Sequence, residues 1–472
     1  MSGYRLILPF LALGSLSAPA RAQKPLDHDA YDRWRTVEQE ALSRDGSWVS
    51  YVLEPQQGDA ELVVRATGGP AEYRVPRGRD ARFAPGGTHI AFLIKPEYAE
   101  VRAARVAKKR ADDLPKDSLG ILDLVTGTIV RVELVKSFRM PERGGEHVAY
   151  LVERPREGTK TEPDSAAAVP DSTAPTPKKD TEIGSPLVVR HLASGAERRY
   201  DDVTEYAFAR DGGRLAAVVS SRTGESDGVL LLQLAGEPMD RRVASGRATY
   251  KSLVFAEDGE QLAFLTTRDE ADAEHPRFAL YRWRSGDTDA RLVARAGTGG
   301  VPDGWAVSEH RAPSFSRSGG RLYFGTAPWE APAPDDSTPE DERVNVDVWH
   351  WQDADLQPTQ LRRVTQERRR SYLAVAHLDR ARIVQLADTA LPELLLPDGG
   401  DGAWALGSDD RAYRIRTSWD TPGWQDVHAV DLHTGKRTLL LRDTQARAQL
   451  SAGGRFAYWW DFTRRAAVIP CS

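Results

Sequence analysis

The 472-residue chain contains a single cysteine, Cys471. One thiol cannot close an intrachain disulfide or supply a thiolate zinc site, so the fold must be held by burial and hydrogen bonding. An excess of basic charge is missing too: 64 Lys and Arg face 69 Asp and Glu, a net charge of -5. That balance leaves no electrostatic footprint for nucleic acid. No stretch approaches the roughly 20 apolar residues that a membrane-spanning helix needs, so no membrane partner is expected. The apolar run Leu6–Leu13 follows Arg5 and leads to the small-residue ending Ala20-Arg21-Ala22. Residues 1–22 read as a secretory signal peptide cleaved after Ala22, which predicts a periplasmic or secreted protein with no lipid-anchor cysteine behind the signal.

What is abundant is a repeat. An apolar residue, an Asp/Gly-rich tight turn and an alternating apolar run recur eight times. The copies begin at Leu42 (LSRDGSWVSYV), Phe83 (FAPGGTHIAFL), Met140 (MPERGGEHVAYL), Phe208 (FARDGGRLAAVV), Phe255 (FAEDGEQLAFLT), Phe315 (FSRSGGRLYFGT), Leu406 (a degraded LGSDDRAYRIRT) and Leu450 (LSAGGRFAYWW). Each reads as a hairpin whose glycine supplies the positive φ of a tight turn, flanked by strands with one buried face. Most copies are followed by a second hairpin, as in ILDLVTGTIVRVEL from Ile121, VVRHLASGAERRY from Val188, LYRWRSGDTDARLV from Leu280 and VHAVDLHTGKRTLLL from Val427. Two hairpins make a four-stranded sheet, and the period is near that of a propeller blade. The expected fold is all-β, a β-propeller of seven or eight four-stranded blades over residues 23–472, with the last blade incomplete. Segment 97–118 is expected to be a charged helical insertion, 155–186 a disordered low-complexity loop, 331–343 an acidic loop, and 462–472 a tail that matches nothing in a blade.

Motifs for chemistry are sparse. Gly224-Glu225-Ser226-Asp227-Gly228 matches the nucleophile-elbow pattern G-x-S-x-G, but the following VLLLQL reads as a strand where the elbow requires a helix. Ten histidines are scattered without an H-E-x-x-H pattern; His428 and His433 flank one strand and read as surface polar residues. Asp335, Asp336, Glu340, Asp341 and Glu342 lack calcium-loop spacing. Trp349, Trp351, Trp404, Trp419, Trp424, Trp459 and Trp460 could anchor a peptide or pack between sheets. No catalytic, cofactor-binding or metal-binding residue is assigned, and no cofactor is expected.

The string KPLDHDAYDRWRTVEQEALSRDGSWVSYVLEPQQGDAELVVR from Lys24 and the string KRADDLPKDSLGI from Lys109 resemble mature exported bacterial serine peptidases of the prolyl oligopeptidase family. With the repeats, the resemblance runs from the signal peptide to about Asp461. It implies a propeller over an α/β-hydrolase domain, admitting short or unfolded peptide substrates to a Ser-Asp-His site in that domain. No hydrolase sequence follows the propeller, so the expectation is a substrate-gating portion, truncated and inactive by itself. The alternative is a stand-alone TolB-like periplasmic propeller that binds a protein or peptide.

Overall fold

The computed structural model describes residues 31, 34–154, 183–331, 342, 346, 348–460 and, for backbone, 467–470. Residues 1–22, expected to be a signal peptide, most of 155–186, most of the acidic loop and Cys471 lie outside them.

The repeats become antiparallel meanders. Unit one is β1 (Arg35–Leu42), β2 (Trp48–Pro55), β3 (Glu61–Ala66) and β4 (Glu72–Pro76). Unit two is β5 (Gly78–Phe83), β6 (His89–Ile94), β7 (Ser118–Asp123) and β8 (Ile129–Val132). Units three and four form one seven-stranded sheet: β9 (Val135–Arg139), β10 (His147–Val152), β11 (Ser185–His191), β12 (Glu197–Phe208), β13 (Arg214–Val219), β14 (Gly228–Gln233) and β15 (Met239–Ser245). β12 is shared. Its residues Glu197–Tyr200 pair with β11, those from Val203 to Phe208 pair with β13, and Asp202 between them is left-handed at φ 61.

Unit five is β16 (Tyr250–Phe255), β17 (Gln261–Thr266), β18 (Ala279–Arg284) and β19 (Arg291–Ala294). In unit six, β20 (Trp305–Val307) and β21 (Ser314–Phe315) both pair with β22 (Arg321–Pro328), followed by β23 (Tyr372–His377) and β24 (Arg382–Gln385). Unit seven is β25 (Glu393–Leu395), β26 (Trp404–Asp409), β27 (Gln425–Asp431) and β28 (Arg437–Thr444). The last sheet holds β29 (Gln449–Leu450), β30 (Phe456–Trp459) and β31 (Ala467–Pro470). The seven sheets therefore contain eight repeat units, and the fold is a β-propeller.

Burial follows the same plan. Seven apolar clusters each bridge one pair of successive units, from Val52, Leu62 and Phe92 between units one and two to Leu406, Val427 and Ala457 between seven and eight. Each four-stranded sheet alone has two faces to cover, and stacking against its neighbours covers them.

Four expectations need correction. Leu406 lies in the second strand of its unit, not the first; the hairpin of unit seven runs from β25 to β26 through Pro397–Gly402, where Gly399 and Gly400 both take φ 70. Asp409-Asp410 opens the excursion before β27 instead. Of segment 97–118, only Tyr98–Val106 is α-helical, and Ser118 already belongs to β7. Ser185-Pro186 begins β11 rather than ending a loop, and Ala467–Pro470 of the tail pairs antiparallel with β30 as a third strand.

Candidate functional site: the axial mouth

The turn glycines Gly46, Gly87, Gly145, Gly212, Gly259 and Gly319 all have φ between 70 and 79. Their turns also touch from unit to unit. A Cβ on Gly145 would lie 3.1 Å from Gly212, and one on Gly319 would lie 2.6 Å from the Gln261 amide. The turns thus form a tier at one end of the propeller. Two positions before the glycine, the repeats carry Arg44, Pro85, Arg143, Arg210, Glu257 and Arg317.

Together with Glu142 and Asp398, the charged ones form a girdle of alternating charge. Arg210 donates to Glu142 at 2.7 Å on one side and to Glu257 on the other; Arg317 lies 3.9 Å from Glu257 and bonds Asp398 at 3.0 Å. Arg143 of unit three reaches Glu257 of unit five at 3.1 Å, and Arg44 of unit one donates to the Arg143 carbonyl at 2.8 Å. Both contacts skip a unit, so the side chains span the opening and do not merely follow its rim. The hydrogen bond from Arg210 holds the Glu142 carboxyl below its ordinary value, and Glu142 in turn raises Arg210. Because the groups are exposed to solvent, each pair contributes little, and the girdle can part without unfolding the sheets.

Behind it lies a cavity of about 780 Å³ lined by residues of units three to seven, among them Phe208, Phe255, Phe315 and Gly400. A space bounded by the first hairpins of five successive units is axial. Deeper in, a second tier repeats seven positions before the glycines: Gln39, Asp80, Glu205 and Ser252. Gln39 and Asp80, both left-handed bulge residues, bond each other through Asp80 N–H to Gln39 Oε1 at 2.8 Å, and Glu205 accepts the Ser252 and Leu253 N–H groups at 2.7 and 2.8 Å. Sequence reading missed both tiers, although the fixed offset from each glycine was available as a signal.

The other candidates do not converge here. Ser226 is exposed, its hydroxyl meets no histidine among the described residues, and β14 follows it. The motif glycines serve packing: a Cβ on Gly224 would lie 2.7 Å from Arg247 Cγ, and one on Gly228 would lie 2.2 Å from the Ala244 carbonyl. One Ser–His–carboxylate chain exists elsewhere: His191 Nδ1 meets the Ser194 hydroxyl at 3.0 Å and Nε2 lies 3.4 Å from Glu146. It is a turn cap. His191 Nδ1 accepts the Ser194 N–H at 3.2 Å, as Asp123 accepts Thr126 N–H at 3.2 Å and Asp431 accepts Thr434 N–H at 3.1 Å in the matching turns. The lone pair a general base would use is therefore committed to the backbone.

His428 is half-buried and burial lowers its pKa, whereas His433 is exposed and stacks on His377 at 5.2 Å. Among the described residues no group of three or more His, Cys, Asp and Glu could hold a metal ion. Trp349, Trp351, Trp419 and Trp460 are exposed away from the mouth, Trp459 is buried, and Trp404 and Trp424 are half-buried, the latter under Arg416 at 3.8 Å. Glu342 is exposed, and the other acidic-loop carboxylates lie outside the described residues.

No protein-family model matches the chain. No curated protein matches it either. Among solved structures it is similar to the β-propeller domain of the Trilobed protease from Pyrococcus furiosus, at 11% identity and TM-score 0.32, over 87% of this chain and 99% of that one. It is similar to a prolyl endopeptidase at 13% identity and TM-score 0.35, over 92% and 55% of the two chains. It is also similar to the acylaminoacyl peptidase of Pyrococcus horikoshii at 10% identity and TM-score 0.31, over 92% and 58%. The chain thus spans little more than half the length of the latter two.

Proposed function

We propose that this chain is the substrate-admitting propeller of an exported serine peptidase of the prolyl oligopeptidase type, with cleavage performed by an α/β-hydrolase domain distinct from the described propeller. The observation that carries this reading is the charge girdle that spans the axial opening over a cavity lined by five units. An opening crossed by partly exposed ion pairs passes an extended chain when the pairs part and refuses a folded one. The two N-terminal strings that resemble exported members of that family support the same reading.

A ten-residue peptide carrying a photo-crosslinker tests the proposal. Labelling should fall on the axial residues Phe208, Phe255 and Phe315, and a folded domain bearing the same sequence should leave them unlabelled. Labelling confined to outer strands such as β4 or β28, or equal labelling by the folded competitor, would overturn it.

A further inference from the structure

A second and larger cavity, about 1140 Å³, opens at the other end of the sheets, between units four and five. It is bounded by Thr204 and Glu205 at the bulge of β12, by Val218–Ser220 leaving β13, by the β15–β16 connection Ser245–Thr249, and by Thr267, Arg268 and the loop to Pro276. Its charges are not all spent internally. Lys251 is paired with Glu309, and Glu205 is occupied by two backbone N–H groups. Asp272 and Glu274 are exposed on the rim. Arg247 and Arg268 have no carboxylate within ion-pair distance among the described residues.

Both arginines are braced by contacts that leave their N–H groups unused. The stem of Arg247 lies against Gly224, where a Cβ would come within 2.7 Å of its Cγ. The Arg268 guanidinium sits 4.9 Å from the Tyr281 ring, whose hydroxyl is anchored on Asp269 at 2.6 Å. Ser220 belongs to the wall of the same space, but its Oγ is closed off from solvent and so offers an occupant no donor. Thr267, 5% exposed, accepts the Thr249 N–H at 3.1 Å and keeps its hydroxyl proton to donate.

We propose that this cavity is a carboxylate subsite: Arg247 and Arg268 supply the charge-assisted donors, and Thr267 supplies a hydroxyl donor from the buried side. Forked guanidinium donors suit a planar carboxylate better than a point cation would. The carboxylate is borne by a peptide, and in that respect the inference rests on the peptide-handling reading above. Its two sources are the free C-terminus and an acidic side chain.

Calorimetry on the full chain with four ligands separates the outcomes. These are a tripeptide with a free C-terminus, its amide, the amide with an internal Asp, and glutarate. Binding of the free acid, weakened about tenfold or more by amidation and by R247Q or R268Q, supports the subsite with a C-terminal ligand. Equal binding of the Asp-containing amide supports the side-chain source. Arginine-dependent binding of glutarate alone supports the anion site while counting against a peptide as its ligand. R268K, which keeps the charge and loses the fork, should recover only part of the loss. No carboxylate binding, or R247Q and R268Q proteins that bind like wild type, would overturn the proposal.

Discussion

Replacing Gly212 by alanine measures what the repeat glycines do beyond permitting a turn. Gly46 and Gly212 have nearly the same backbone, φ 73 and 74, so the left-handed strain of an alanine is about 1 kcal/mol at either. Their surroundings differ. A Cβ at Gly46 meets nothing within 4 Å, whereas one at Gly212 would lie 2.3 Å from the Gly144 carbonyl oxygen and 3.0 Å from Gly145 Cα. Backbone is on the other side, so no side chain can swing away, and the turns of units three and four must separate by roughly 0.7 Å in a close-packed tier. Overpacking of this kind adds about 1–3 kcal/mol. Gly46→Ala should therefore lose about 1 kcal/mol and Gly212→Ala about 2–4 kcal/mol. Urea unfolding followed by circular dichroism at one protein concentration reads both. Equal losses, within about 0.5 kcal/mol, would refute the claim that the turns of neighbouring units are in contact.

Two further outcomes follow from charge. Glu257→Gln removes the anion shared by Arg143, Arg210 and Arg317, and should cost about 1 kcal/mol at low salt and clearly less at 1 M salt; a salt-independent loss would mean that the girdle is not electrostatic. His147, His377 and His428 are each held below the ordinary 6.5, chiefly by burial. The unfolded chain takes up protons that these folded sites resist, so stability is full above pH 6.5 and falls as pH drops below it. The lowered carboxyls such as Glu142 and Glu260 lose their contribution in a separate window below their ordinary 4.5. The His428→Phe protein should show a shallower decline of the melting midpoint between pH 6.5 and about 5; an unchanged slope would remove His428 from the account.

The repeat was readable because a left-handed turn glycine between alternating strands is a local demand, and all six clear examples meet it. Unit seven was misregistered because its true hairpin turn, Pro397–Gly402, is longer and hides its glycines behind a proline, while Asp409-Asp410 imitates the shorter signal. The girdle residues stood in plain view at a fixed offset. Their alternation gains meaning only when units that are 40 or more residues apart are placed side by side, as Arg210 and Glu257 are, 47 apart. His191 shows the converse: it looked like a scattered histidine, and only the matching turns reveal that it replaces the capping aspartate of Asp123 and Asp431. The G-x-S-x-G string misleads for a related reason, since its glycines answer to Arg247 and Ala244 rather than to a strained nucleophile.

β12 also has a mechanical consequence. Because one unbroken strand is laddered to β11 on one side and to β13 on the other, units three and four cannot hinge apart without breaking main-chain hydrogen bonds, and they move as a single stiff plate. The next seam, between units four and five, is crossed by the short connection Gly246–Thr249 and is closed by side chains. Any breathing of the ring is displaced from the plate to seams of this kind. The carboxylate cavity straddles the first of them, so an occupant held there would act as a clasp between the plate and the sheet beside it.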